Sequence, residues 1–159
     1  MNRAITFILT GLVLSGGDCT HAQPERNQII LKDTFHLSLQ TPIHILTLDN
    51  ALLKENPEEL EVSQAVTNPH QRYYLVQVFL ASGDARVHLG NFAGYPPDAA
   101  GDFLMRFDKP LKELQGKLSN AGKRNNKVQL KFIFSQRDSA ETINVNVTQI
   151  KFFQKLDHP

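Results

Sequence analysis

The sequence predicts an all-β chain, an antiparallel sandwich or barrel, with one short helix. Three observations carry this. Apolar and polar residues alternate at period two in many short runs. Gly, Pro, Asn and Asp cut those runs to strand length, the pattern of antiparallel sheets joined by tight loops. A helical apolar period appears with conviction only once, between residues 108 and 122.

The elements follow in order. Ile29, Ile30 and Leu31 form a short apolar run, and Lys32-Asp33 a turn. Phe35, Leu37 and Leu39 alternate with His36 and Ser38. Beyond Pro42, Ile43, Ile45 and Thr47 share one face, with His44 and Leu46 on the other. Asp49 to Glu59 is polar, contains Pro57 and reads as a loop. Leu60 to Val62 reads as a short strand, and Asn68-Pro69-His70-Gln71 as a turn. Arg72 to Ala81 is apolar on both faces, so a central strand covered on both sides is expected.

Ser82-Gly83-Asp84 is a compact turn. Val87, Leu89 and Asn91 then alternate with His88 and Gly90, and Tyr95-Pro96-Pro97-Asp98 forms a loop. Phe103, Met105 and Phe107 alternate in a further strand. Asp108 is a candidate N-cap, with Pro110 in the first turn. Leu111, Leu114 and Leu118 make one apolar stripe, and Gly122 is a C-terminal stop. Val128, Leu130, Phe132 and Phe134 alternate with Gln129, Lys131 and Ile133. Ile143, Val145 and Val147 alternate with Asn144 and Asn146, and a slip before Ile150 and Phe152 predicts a bulge near Thr148-Gln149. The count is about eight strands and one helix.

Residues 1–22 read as a secretory signal peptide. Arg3 supplies the positive start, Ala4 to Leu14 the apolar segment, and Thr20-His21-Ala22 the small residues before a cut at Gln23. Residues 23–159 are then one domain, expected in the periplasm or outside the cell with no membrane span of its own. Cys19 is the sole cysteine. A lipid anchor there is not expected, because Asp18 occupies the position before it where a small residue is required. Cleavage after Ala22 leaves no cysteine, hence no disulfide and no thiolate chemistry. Lys and Arg total 17 against 16 Asp and Glu, so no field marks a nucleic-acid or anionic-membrane partner.

The sequence carries no glycine-rich phosphate loop, no GxSxG elbow and no HExxH pair, so no catalytic residue is assigned and no cofactor is called for. Its candidate metal ligands are His36, His44 and His88, which would have to converge across neighbouring strands. The ordinary reading places each on the solvent face of its strand. Glu58, Glu59 and Glu61 read as solvated residues of a loop beside a strand, and Lys123, Arg124 and Lys127 as a soluble basic turn beside a helix end. Tyr95 is the candidate ligand-binding residue; Tyr73 and Tyr74 could join it in a stacking platform, but the ordinary reading makes those two core and edge residues of their strand.

The stretches RYYLVQVFL, RVHLGNFAGYP, FLMRFDKPLKELQGKL, KVQLKFIF and TINVNVTQIKFF occur in that order. This order resembles the small C-terminal capping domain of polyphenol oxidases and tyrosinases, and IILKDTFHLSL is similar to that domain's opening strand. The resemblance spans residues 28 to 153. It implies a jelly-roll-like β-sandwich that in the family lies over a dicopper centre and blocks substrate entry. The histidine-bearing catalytic domain is missing here, and Arg106-Phe107-Asp108 does not stand where the plant signature would. Oxidase activity and copper ligands are therefore not carried over. The expected function is that of a non-catalytic exported accessory domain, with an exported copper oxidase or another envelope protein as partner. The alternative is an extracytoplasmic module binding carbohydrate or another ligand.

Overall fold

The computed structural model describes residues 28–31, 33–120, 127–137 and 142–154. The expected signal peptide, Cys19, the expected helix stop at Gly122 and the expected turn at Lys123-Arg124 lie outside the described residues. The elements are β1 (Gln28–Leu31), β2 (Phe35–Leu37), β3 (Ile43–Thr47), α1 (Asn50–Lys54), β4 (Pro57–Thr67), β5 (Tyr74–Ser82), β6 (Ala85–Phe92), β7 (Gly101–Arg106), α2 (Asp108–Asn120), β8 (Gln129–Gln136) and β9 (Asn144–Gln154). All the strand pairings are antiparallel. One sheet runs β1-β9-β4-β7, with β2 also paired to β9, and the other runs β3-β8-β5-β6. The chain is an all-β sandwich.

Alternation decides which side chains fill the space between the sheets. From the first sheet come Leu60 and Val62 of β4 and Val145, Val147, Ile150 and Phe152 of β9, all fully buried. From the second come Val76, Val78 and Leu80 of β5 and Leu130, Phe132 and Phe134 of β8. The expected bulge is present. Ser63 pairs with Gln149 and Gln64 with Val147, so Thr148 is the extra residue, and its hydroxyl donates to the Ser63 carbonyl at 3.3 Å. Without that extra residue Val147 and Ile150 would face opposite sides of the sheet.

The two flanks of the sandwich are closed by aromatic rings reaching across from opposite sheets. At one flank Phe35 of β2 packs against Phe132 of β8, with centroids 5.0 Å apart. At the other, Phe92 of β6 stacks on Phe103 of β7, also at 5.0 Å. Helix α2 buries Leu111, Leu114 and Leu118 and lies against β6 and β5. Just before it, Phe107 meets the edge of Phe152 at 5.1 Å.

Several expectations are corrected. The segment read as a loop from Asp49 to Glu59 contains α1, with Asp49 as its cap. The Asp49 carboxylate accepts from the Ala51 amide at 3.0 Å. The strand expected at Leu60 to Val62 is an 11-residue strand that takes in Glu58, Glu59 and Glu61, with Glu59, Glu61 and Ser63 half-buried in alternation with the buried Leu60, Val62 and Gln64. Asp108 is the first helical residue rather than the cap, since the Leu111 amide donates to the Phe107 carbonyl at 3.0 Å. Strand β5 is central within its sheet but covered on one face only. Leu75, Gln77, Phe79 and Ala81 lie half-buried on the outside.

Phe152 is fully buried and touches Phe107 from the other end of the core. Phe152→Ala is expected to cost about 3–5 kcal/mol, read as a lowered urea midpoint with little change in slope.

Candidate functional site

The most exposed large hydrophobic side chain among the described residues stands at one end of the sandwich. Tyr95, in the loop joining β6 to β7, is 96% exposed, and Tyr73, in the neighbouring loop joining β4 to β5, is 64% exposed. The backbone beneath them is held from inside. Asn68 is almost fully buried; its Nδ2 donates to the Arg72 carbonyl at 2.7 Å and to the Pro97 carbonyl at 3.1 Å. Its Oδ1 accepts from the Arg72 amide at 2.9 Å. One side chain thus closes its own turn and ties that turn to the loop bearing Tyr95. Gln71, in the left-handed region at φ 49°, adds a bond from Nε2 to Asp98 at 3.2 Å.

A second anchor lies deeper. The Tyr74 ring is buried, and its hydroxyl accepts from the Gly94 amide at 2.9 Å and bonds to the Gln64 side chain at 2.7 Å. Gln64 is buried with its Oε1 unpartnered among the described residues. Turning that amide over lets Tyr74 donate to Oε1 while still accepting from Gly94. One orphaned Nε2 then replaces an orphaned oxygen and an orphaned phenol proton. Burial pushes the Tyr74 phenol above its ordinary pKa, and the bonds from Gln64 and Gly94 oppose this. A side chain at Gly94 would be tightly placed. A Cβ there would come within 3.0 Å of the Tyr74 hydroxyl and 3.1 Å of the Pro96 and Ala99 carbonyls. The Tyr95–Pro96 peptide is cis, and the Ala99 amide closes the loop on the Pro96 carbonyl at 2.9 Å.

The structure does not bring the three candidate histidines together. His36 is on β2, exposed on the outer face of the first sheet opposite Asn146. His44 is on β3 of the second sheet, so the two strands are not paired, and His36 faces out of the sandwich while His44 faces in. His44 also departs from the solvent-face reading. It points inward at the flank and stacks flat on Phe35, with centroids 3.7 Å apart and planes 8° from parallel. His88 is on β6, at the far edge of that sheet. Two strands intervene, a separation of about 14 Å. His88 shares a 2.7 Å bond with Asn91 and lies against Phe79, over which Arg86 also sits. Among the described residues no three His, Cys, Asp or Glu side chains could hold one metal ion.

Of the tyrosines considered for stacking, Tyr74 is core and only Tyr73 and Tyr95 face solvent. Asn68, Gln64 and Gly94 were not singled out from the sequence. The Asn-Pro turn is visible there, but the reach of Asn68 to Pro97 across 29 residues is not.

No protein-family model matches the chain, and no curated protein matches its sequence. Among solved structures, a match to a chain of Desmodium yellow mottle tymovirus has a TM-score of 0.28 and 10% identity, covering 100% of this chain and 99% of that one. At that score it carries no argument about fold or function.

Two outcomes are expected. Asn68→Ala removes the bonds to the Arg72 amide and to the Arg72 and Pro97 carbonyls, lowering stability by about 1–3 kcal/mol and speeding amide exchange at Arg72 in particular. His44 concerns pH. Partial burial lowers its pKa from 6.5, and the Asp33 charge opposes this. The unfolded chain therefore binds the proton more readily. The stability supplied by the neutral ring is complete above pH 6.5 and is lost as pH falls toward the folded-state value. His44→Phe keeps a ring on Phe35 and is expected to flatten that part of the pH profile of the urea midpoint.

Proposed function

We propose that this chain is an exported, non-catalytic interaction domain that docks a partner through the end of the sandwich carrying Tyr95. The observation that supports this best is the contrast between ring and backbone. The Tyr95 ring is almost wholly exposed, while the loop bearing it is fastened by the buried Asn68 and Tyr74. Leaving a large ring in water gains nothing for folding. Holding its backbone still removes much of the ordering cost when a partner covers it. Tyrosines in such settings commonly serve as interface anchors.

The partner class follows from the sequence resemblance to the capping domains of polyphenol oxidases and tyrosinases. A protruding side chain on a firm loop suits a domain that covers another protein's cleft. The reading is therefore an accessory cap for an exported dicopper oxidase. The test adds the purified chain to such an oxidase from the same organism and follows its turnover. Inhibition that saturates near one equivalent is expected, with Tyr95→Ala weakening it at least about tenfold. Unchanged turnover, or equal inhibition by the variant, would count against the reading.

A second reading has its own observation. Tyr73 is also exposed, and the Asn68–Pro97 bond ties its loop to that of Tyr95. Two tyrosines on joined loops suit stacking against sugar rings. Oligosaccharide-array binding abolished by either Tyr73→Ala or Tyr95→Ala would favour this over the cap.

A further inference from the structure

The two sheets present four lateral edges, and the described residues protect three of them in the ways sheets ordinarily use. At β6 the edge carries Arg86, whose carbonyl accepts from Lys117 of α2 at 3.3 Å. Strand β7 carries Asp102 and Arg106. The edge beyond β9 is broken into β1 and β2, of four and three residues.

Strand β3 differs. Its sequence, IHILT, has no acidic residue, no Lys, no Arg and no proline, and Ile43 and Ile45 are 50% and 49% exposed. The direction of its free backbone groups follows from the bonds flanking it. The Phe134 amide donates to the Pro42 carbonyl at 2.7 Å, and the Leu48 amide to the Val128 carbonyl at 2.9 Å. Residues 42, 44, 46 and 48 therefore turn their backbone groups toward β8, in the continuous register from Ile43↔Ile133 to Thr47↔Gln129. The N–H and C=O groups of Ile43, Ile45 and Thr47 point away from β8, and no described residue bonds to them.

We propose that β3 pairs antiparallel with β3 of a second copy, about a twofold axis at Ile45. The outward residues are spaced so that Ile45 meets its own copy and Ile43 meets Thr47 of the other chain, each pair exchanging two backbone bonds. The pairing sets Ile43 and Ile45 of both chains in one row on the outer face and gives them neighbours to pack against. Charge does not oppose it. The one Lys or Arg within β3 and β8 is Lys131, one strand inward, opposite Ile45. Across the axis the two lysines would be about 14 Å apart, beyond a screening length of about 8 Å. A five-residue edge buries little area, so the dimer is expected in the micromolar range or weaker. The Tyr95 loops take no part and stay free, which makes this inference independent of the proposed function.

The test is sedimentation equilibrium of the chain from about 1 to 200 μM, the span in which small interfaces associate. Concentration-dependent dimer is expected. Ile45→Lys sets two cations against each other at the axis and should weaken association at least about tenfold; Ile45→Glu should do the same. An equimolar mixture of the two variants should regain a dimer, because only a twofold at residue 45 brings Lys and Glu together. Ile45→Pro removes an outward N–H without touching the bonds to β8 and should also give monomer, with circular dichroism melts confirming that each variant folds. A chain monomeric throughout, a dimer indifferent to these changes, or no recovery in the mixture would overturn the proposal. So would strong exchange protection of the Ile45 amide in the monomer, since another segment of the same chain would then cover the edge.

Discussion

Strand β9 is hydrogen-bonded on both sides over most of its length, to β4 along one edge and to β1 and β2 along the other. It supplies Val145, Val147, Ile150 and Phe152 to the core, each fully buried. The extra residue at Thr148 reconciles these demands. A strand with strict alternation cannot place both 147 and 150 inward, and the bulge resets the phase with one residue on one strand. The flank closed by Phe35 depends on the stretch before the bulge, where Phe35 pairs with Val147. The junction with Phe107 and α2 depends on the stretch after it. The two halves of the core are in phase only because β9 shifts between them.

Where the sheets end, polar groups take over. Each buried carbonyl and amide at the loop end must find a partner, and the side chains of Asn68 and Tyr74 supply them without adding secondary structure. The loops there are irregular in shape yet fixed in place. Exposure is concentrated in the tyrosine rings, while the peptide groups are satisfied below. An aromatic surface on a framework of this kind differs from a surface loop that exposes its backbone, and the proposed docking role rests on that difference.

Much of the fold was legible in the sequence because burial on one face writes itself as alternation. The leucine stripe of α2, the alternating phenylalanines of β8 and the slip in β9 could each be read residue by residue. Misreadings arose where local composition and tertiary placement disagree. On β3 the isoleucines face solvent and the histidine faces in, because Phe35 offers a flat ring on which His44 stacks. Polarity alone would predict the reverse. On β4 outward glutamates looked like a loop. One of them, Glu61, is paired with Lys151 of β9 at 2.7 Å, a cross-strand partner distant in sequence. The site was less legible still. Tyr95 could be noticed as an aromatic in a turn, but Asn68 and Gln64 matter only through contacts with distant residues, which no local pattern encodes.

The order of the strands also shapes how the chain must come together. Gln28 pairs with Phe153, Phe35 with Val147 and Ile43 with Ile133, so each of the first three strands waits for one of the last two. During vectorial synthesis neither sheet can be completed until the closing segments emerge. The early strands remain without their ladder partners throughout. Native contacts are thus weighted toward large sequence separation, which slows folding and lengthens the life of the incomplete chain. For such a topology the unfolded interval, more than the finished sandwich, is where protection from misassociation matters.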